Sequence, residues 1–278
     1  MTRRKKQNIQ IALVSSILIA ILLMTIFAPW LAPYDPTEVN MKIRLLAPCR
    51  EHPLGTDSLG RDVLSRVIYG GRASLVVAVF ATCCSMVLGL AIGIAAGYCE
   101  GVVDTVITAI TNIFQGLPGT VLMLAMVGVM GPNNMSIVLA LVITSWVGFS
   151  RLVRGEVLKI KNELYIEGMR TLGAGHFRII LKHIIPNIRT NIIILFTTRV
   201  GRVVLSVAGL SYLGMGIQPP TPDWGEMISG PARRYFRSSP HLLWAPGLCI
   251  ILLSLSINLL GDLLRDRLDV KQDSVKEI

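Results

Sequence analysis

Residues 9–28 contain no charged side chain, and an apolar run of about 20 residues is what an α-helix needs to cross a ~30 Å hydrocarbon core. Similar runs recur at roughly 74–98, 104–130, 135–153, 191–215 and 243–264. Inside a bilayer no water satisfies exposed peptide groups, so repeated long apolar runs can fold only as helices packed on one another. The expected fold is an all-α polytopic membrane protein with six transmembrane helices. Composition agrees: mean hydropathy is +0.61 and only 16% of the 278 residues are charged, too few for an ordinary soluble domain.

The chain opens with MTRRKK, and the basic cluster of Arg3, Arg4, Lys5 and Lys6 before the first apolar run resembles the start of a secretory signal. The run behind it is longer than a signal core, so it is expected to be an uncleaved first span. An even number of spans puts both termini on one side, and the positive-inside bias puts that side in the cytoplasm. With that topology most basic residues fall inside, which accounts for the net charge of +10 without nucleic acid as a partner. The five cysteines, Cys49, Cys83, Cys84, Cys99 and Cys249, show neither a disulfide framework nor zinc spacing. His52, His176, His183 and His241 show no metal-ligand spacing either, and no metal site is expected.

Two places inside the spans are polar. Gly116, Pro118 and Gly119 interrupt the third run just after Asn112 and Gln115, so its backbone is expected to bend. The polar pair then faces either a pathway or a neighbouring helix. Arg199 and Arg202 are the charges well inside the fifth run, about 12 and 17 Å from its start at ~1.5 Å per residue. Lipid exposure there costs on the order of 2.5 to 3.5 kcal/mol each. They therefore face protein or water, and two roles are open: snorkelling or pairing with a partner's acids, or lining a path for an anionic substrate.

Residues 167–187, EGMRTLGAGHFRIILKHIIPN, lie between the fourth and fifth runs. Two short amphipathic runs, 158–169 and 177–185, are joined by Gly173-Ala174-Gly175 and closed by Pro186, which predicts a helix-turn-helix elbow. This elbow resembles the cytoplasmic coupling loop of binding-protein-dependent ABC import permeases, with Glu167, Gly173, Ile179, His183 and Pro186 in the motif positions. Gly168 and Met169 stand where two alanines are usual, which should loosen the first short helix by roughly 1 kcal/mol.

Three further stretches extend the resemblance over residues 55–269 and narrow it to the second permease subunit of peptide and nickel importers. GTDSLGRDVLSRVIYGGRASL begins at Gly55. There Asp57, Arg61 and Asp62 suit a salt-bridged cap, and Val63, Leu64, Val67 and Ile68 an amphipathic stretch along the membrane surface. This segment is expected to serve assembly more than ligand binding. GLSYLGMGIQPPTPDWGEMI begins at Gly209, where glycines 209, 214 and 216 suit close helix approach and Pro219-Pro220 a span end. NLLGDLLRDRLD begins at Asn258, and Val270 follows it where such permeases often have proline.

The resemblance implies a type I, MetI-like ABC importer permease of a bacterial or archaeal cytoplasmic membrane. It further implies a homologous second permease, two ATPase subunits and an extracytoplasmic substrate-binding protein. Residues 1–73 would form an N-terminal span and outer segment, 74–266 the core permease with its coupling loop at 155–190, and 267–278 a cytoplasmic tail. Glu167, Gly173, Ile179, His183 and Pro186 would couple to the ATPases, and Arg199, Arg202, Asn112 and Gln115 would line the path. No GxxxxGK[ST] loop occurs, so no cofactor is expected on this chain, and ATP and Mg belong to the partner subunits. The rival reading is a secondary transporter or channel acting alone, which would normally place acidic residues inside its spans. Asp104 and Asp262 are the only candidates, and both lie near span ends. A purely structural anchor leaves the long elbow without a purpose. Nickel or metal chelates and di- or oligopeptides are both open as substrates.

Overall fold

The computed structural model describes the backbone of residues 3–276 and the side chains of residues 8–230 and 232–266. The charges of Arg3 to Lys6, and those from Arg267 onward, therefore lie outside the described side chains. Twelve α-helices are assigned in the described backbone: α1 Arg3–Ile26, α2 Ala28–Leu31, α3 Val63–Cys99, α4 Gly101–Gly116, α5 Gly119–Met130, α6 Asn134–Lys161, α7 Leu164–Thr171, α8 His176–Ile179, α9 Ile185–Tyr212, α10 Trp224–Met227, α11 Gly230–Arg234 and α12 His241–Lys276. Five helical segments are long and apolar enough to cross a membrane, and α4 with α5, bent by 87° at their junction, makes a sixth when the pair is counted as one span and otherwise a re-entrant loop. The bend falls at the expected interruption.

α3 and α6 form the central pair. Gly89, Gly93 and Gly97 present one bare stripe of α3 to α6, and a Cβ at Gly93 would lie 2.5 Å from the Ser150 carbonyl oxygen and 2.8 Å from Val153 Cβ. Small residues four apart let two helix backbones approach this closely. α9 packs on α12, α3 and α6, and α1 covers α12 and α3. The resulting core contains Ala78, Ala81, Leu141, Val204, Val207 and Leu253.

Local chemistry sets the helix starts. Asp62 caps α3 by accepting from the Ser65 amide at 2.7 Å, and Asn133 and Ser136 form a reciprocal capping box on α6. α9 ends in a Schellman turn, with Met215 N–H donating to Leu210 O at 2.9 Å and Gly214 at φ +79°. The span therefore stops at Tyr212, ahead of Pro219-Pro220. Of the three glycines assigned to helix approach, Gly209 faces open space, Gly214 makes this turn, and Gly216 folds back on Ser211.

The stretch expected to lie on the membrane surface is instead the start of α3. Val63, Val67 and Ile68 are buried, and Val63 and Val67 make an apolar cluster with Ala232 and Leu242 of the segment that folds over them. One end of the bundle thus carries a platform built from residues 32–62 and 213–240. Asp57 pairs with Arg61 at 2.7 Å as expected, while Asp62 also holds buried His52 at 2.9 Å. The loop from α9 to α10 is locked onto α3: Trp224 Nε1 donates to Val67 O at 2.8 Å, Arg66 pairs with Glu226 at 2.7 Å, and Ser74 Oγ donates to Asp223.

Candidate functional site

The opposite end of the bundle carries the elbow. α6 runs on to Lys161, so the first amphipathic run is divided: its start finishes α6, and a break at Asn162 and Glu163 precedes α7. α7 ends in a Schellman turn, Ala174 N–H to Met169 O at 3.0 Å and Gly173 N–H to Arg170 O at 2.9 Å. Gly173 has φ +81°, a conformation that glycine adopts without the Cβ penalty. Pro186 does not close the second run. Helix continues from His176 to Tyr212, because residues 180–184 widen into a π turn just ahead of the proline. A π-bulge of this kind relaxes the hydrogen-bond register that proline would otherwise break.

The five residues assigned to coupling occupy different positions. Glu167 and Gly173 are exposed, on α7 and its turn. Ile179 is fully buried, in an apolar cluster with Ile166, Ile184, Ile188, Val153 and Val157 that seats the elbow on α6 and α9. Asn187 ties the two arms together, its Nδ2 donating to the His183 carbonyl at 2.6 Å and to the Tyr165 hydroxyl at 3.2 Å, and the His183 ring lies 6.3 Å from the Tyr165 ring. Pro186 is exposed in the first turn of α9. The helical period conceals a further feature. Leu164, Leu172 and Phe177 are 84%, 88% and 77% exposed, at the start of α7, at its end and on α8. Their position after a helix break and at turns, not on a helix stripe, hides them from periodicity.

The polar groups of the spans are likewise resolved into separate settings. Asn112 and Gln115 are engaged within the chain, Asn112 Oδ1 accepting from Arg151 Nη2 at 3.0 Å and Gln115 Oε1 accepting from Arg151 Nη1. Arg151 thus anchors the broken span to α6, a role that its place at a span end did not reveal. Asp104 forms a two-pronged pair with Arg154 at 2.5 and 2.7 Å, which removes it as a free ion-coupling acid. Arg199 lies against α6, where a Cβ on Gly148 would come within 2.6 Å of its Cζ. Its Nε is buried without a hydrogen-bond partner. Arg202, one turn further, faces a cavity of about 650 Å³ between α6, α9 and α12, whose wall also carries Glu156, Lys159, Asp262 and Arg265. Among the described residues no group of three His, Cys, Asp or Glu could hold a metal ion.

A bundle of five long apolar helices and one bent helix pair, with an elbow at one end and a platform at the other, defines an all-α multi-pass membrane protein. Residues 89–273 match the family described as binding-protein-dependent transport system inner membrane component. Residues 10–48 match the N-terminal TM domain of oligopeptide transport permease C. The chain is 40% identical over 266 residues to the glutathione transport system permease protein GsiD of Pectobacterium atrosepticum, covering 95% of this chain and 88% of that protein. It is 41% identical over 254 residues to the protein of the same name from Escherichia coli O6:K15:H31, covering 91% and 84%. Among solved structures, the inward-facing MetNI methionine ABC transporter matches with a TM-score of 0.56 at 19% identity, over 73% of this chain and 96% of that chain. An amino acid ABC transporter solved with histidines matches with a TM-score of 0.51, over 73% and 94%. The chain belongs to the family of binding-protein-dependent transport system inner membrane components, as a non-catalytic permease subunit of an ABC importer. It is a multi-pass inner-membrane protein. Membership favours this reading over a carrier acting alone.

Proposed function

We propose that the chain forms one half of the membrane channel of an importer for short peptides of the glutathione type. A second permease, two ATPase subunits and an extracytoplasmic binding protein complete it. The observation that carries the reading is the elbow: a helical hairpin on a membrane bundle that leaves Leu164, Leu172 and Phe177 uncovered and Glu167 exposed. Exposed apolar side chains of this size, rimmed by polar residues, mark a protein interface. The chain has no nucleotide loop, so the partner that fits is an ATPase. The elbow end, to which both termini return, is then cytoplasmic and the platform extracytoplasmic, where a binding protein docks.

Glu167 and Gly173 form the docking contact and its turn, Ile179 the seat beneath, and His183 and Pro186 the junction to α9. Arg202 and its cavity belong to the path, Arg199 lies beside it, and Asn112 and Gln115 act through Arg151 as supports of its broken wall. The boundary drawn between residues 73 and 74 falls inside α3, so residues 1–62 form the first span and outer segment, the core begins at Val63 and runs to 266, and 267–278 are the tail. The peptide reading is supported by the similarity to glutathione permeases and to the oligopeptide permease segment, and nickel chelates are the alternative to test. Proteoliposomes carrying the assembled complex should take up labelled glutathione or a dipeptide with ATP. Uptake of a nickel chelate but of neither peptide would reverse the assignment.

A further inference from the structure

Tyr98 stands in the last turn of α3, at the elbow end, and touches each segment that meets there. Its hydroxyl lies 2.8 Å from Nδ1 of His176, the first residue of α8, and the two rings meet edge to face with centroids 5.6 Å apart. The Arg170 guanidinium, from α7, lies 5.4 Å from the centre of the same ring. Lys161 Nζ, at the end of α6, lies 5.6 Å from it. A cation at these distances is attracted by the ring quadrupole, more strongly where water is excluded. Arg170 Nε is buried and makes no hydrogen bond, so the ring is a principal stabiliser of that buried edge.

Lys161 ties the same residue to the next turn. It donates to the Tyr98 carbonyl at 2.7 Å and pairs with the Glu100 carboxylate at 2.9 Å, serving the open carbonyl end of α3. The turn it holds is strained: Glu100 and Gly101 have φ of +55° and +57°, and a non-glycine residue stays there only when its surroundings hold it. Beyond the turn begins α4, the first half of the broken span.

We propose that Tyr98 is a positioning residue that clamps both arms of the elbow to the α3–α4 turn, so that displacement of the elbow is carried into the broken span. The apolar contacts under the elbow are non-directional. A directional hydrogen bond and two cations on one ring set its register. The inference rests on the reading of the elbow as the ATPase-docking element.

The test uses the assembled importer in proteoliposomes and reads ATP hydrolysed per labelled glutathione taken up. Tyr98→Phe keeps the ring and loses only the bond to His176, so that ratio should rise about threefold, as for loss of one neutral hydrogen bond. His176→Ala, which removes the edge-to-face ring contact as well, should raise it at least as far, and adding Tyr98→Phe to His176→Ala should raise it no further, because the bond is already gone. A packing role alone would lower the yield of complex and leave the ratio unchanged. A wild-type ratio for Tyr98→Phe overturns the proposal. A wild-type complex that hydrolyses ATP but takes up neither glutathione, a dipeptide nor a nickel chelate would instead remove the importer reading, and this proposal with it.

Discussion

At Gly173 nothing lies within 4 Å of the position a Cβ would take, so a side chain there meets only backbone strain. Holding a non-glycine residue in the left-handed region costs about 1–2 kcal/mol, and a β-branched one more. Gly173→Val should insert normally but lose the ATPase subunits on purification, or hydrolyse ATP without import. Wild-type transport at normal expression would remove Gly173 from the mechanism. Asp223 and Glu226 make a second residue-scale prediction. Burial raises both carboxyls above their usual range, outweighing for Asp223 its hydrogen bonds from Ser74 and Ser211, and for Glu226 the attraction of Arg66 and Arg61. The folded platform therefore binds protons that the unfolded chain has already released. Its stability should fall as pH rises from about 4, the ordinary carboxylate value, through the raised folded values, and level off above them. Asp223→Asn, which keeps the cap acceptor, should flatten that dependence in thermal melts across pH. An unchanged slope would assign it to other groups.

At the scale of elements, the glycine stripe of α3 makes a sharp comparison. A side chain at Gly93 must displace the α6 backbone, whereas at Gly128 of α5 it meets nothing within 4 Å. Gly93→Leu should destabilise the detergent-solubilised protein by about 1–3 kcal/mol or more, the usual cost of overpacking. Gly128→Leu should leave the melting temperature nearly unchanged. Equal effects would mean that α3 and α6 do not pack as described. The spacing of Gly89, Gly93 and Gly97 is visible in the sequence, but which helix they receive is not, since any of five others could supply the partner face. The same holds for the start of α3. Val63, Leu64, Val67 and Ile68 have the spacing of a surface helix, and only the fold of residues 224–242 makes Val63 and Val67 a buried contact.

For the whole molecule, the division of labour predicts inertness in isolation. The purified chain should neither hydrolyse ATP nor support saturable uptake, because it lacks a nucleotide loop and, on the proposed reading, its cavity walls are one half of a path. Saturable uptake by the chain alone would contradict the importer assignment. In the assembled transporter, replacing Arg199 and Arg202 together by Gln should reduce uptake of anionic substrates more than neutral ones. An equal fall, or none, with assembly intact would reject a substrate role. Arg202 has the stronger claim, since it faces the cavity while Arg199 lies against Gly148.

The sequence by itself determined the membrane class, the apolar runs, the break at Gly116 to Gly119 and the elbow with its glycine turn. Each follows from local physics: the length of uncharged runs, the geometry of proline and glycine, and the cost of burying an unpaired peptide group. Only the tertiary structure decided what the polar residues of the spans do. Asn112 and Gln115 meet Arg151 from 39 and 36 residues away, and Asp104 meets Arg154 from 50. It also set Tyr98 among α6, α7 and α8. Such partners are chosen by the packing of distant helices, and that packing depends on shape complementarity between faces that no local period records.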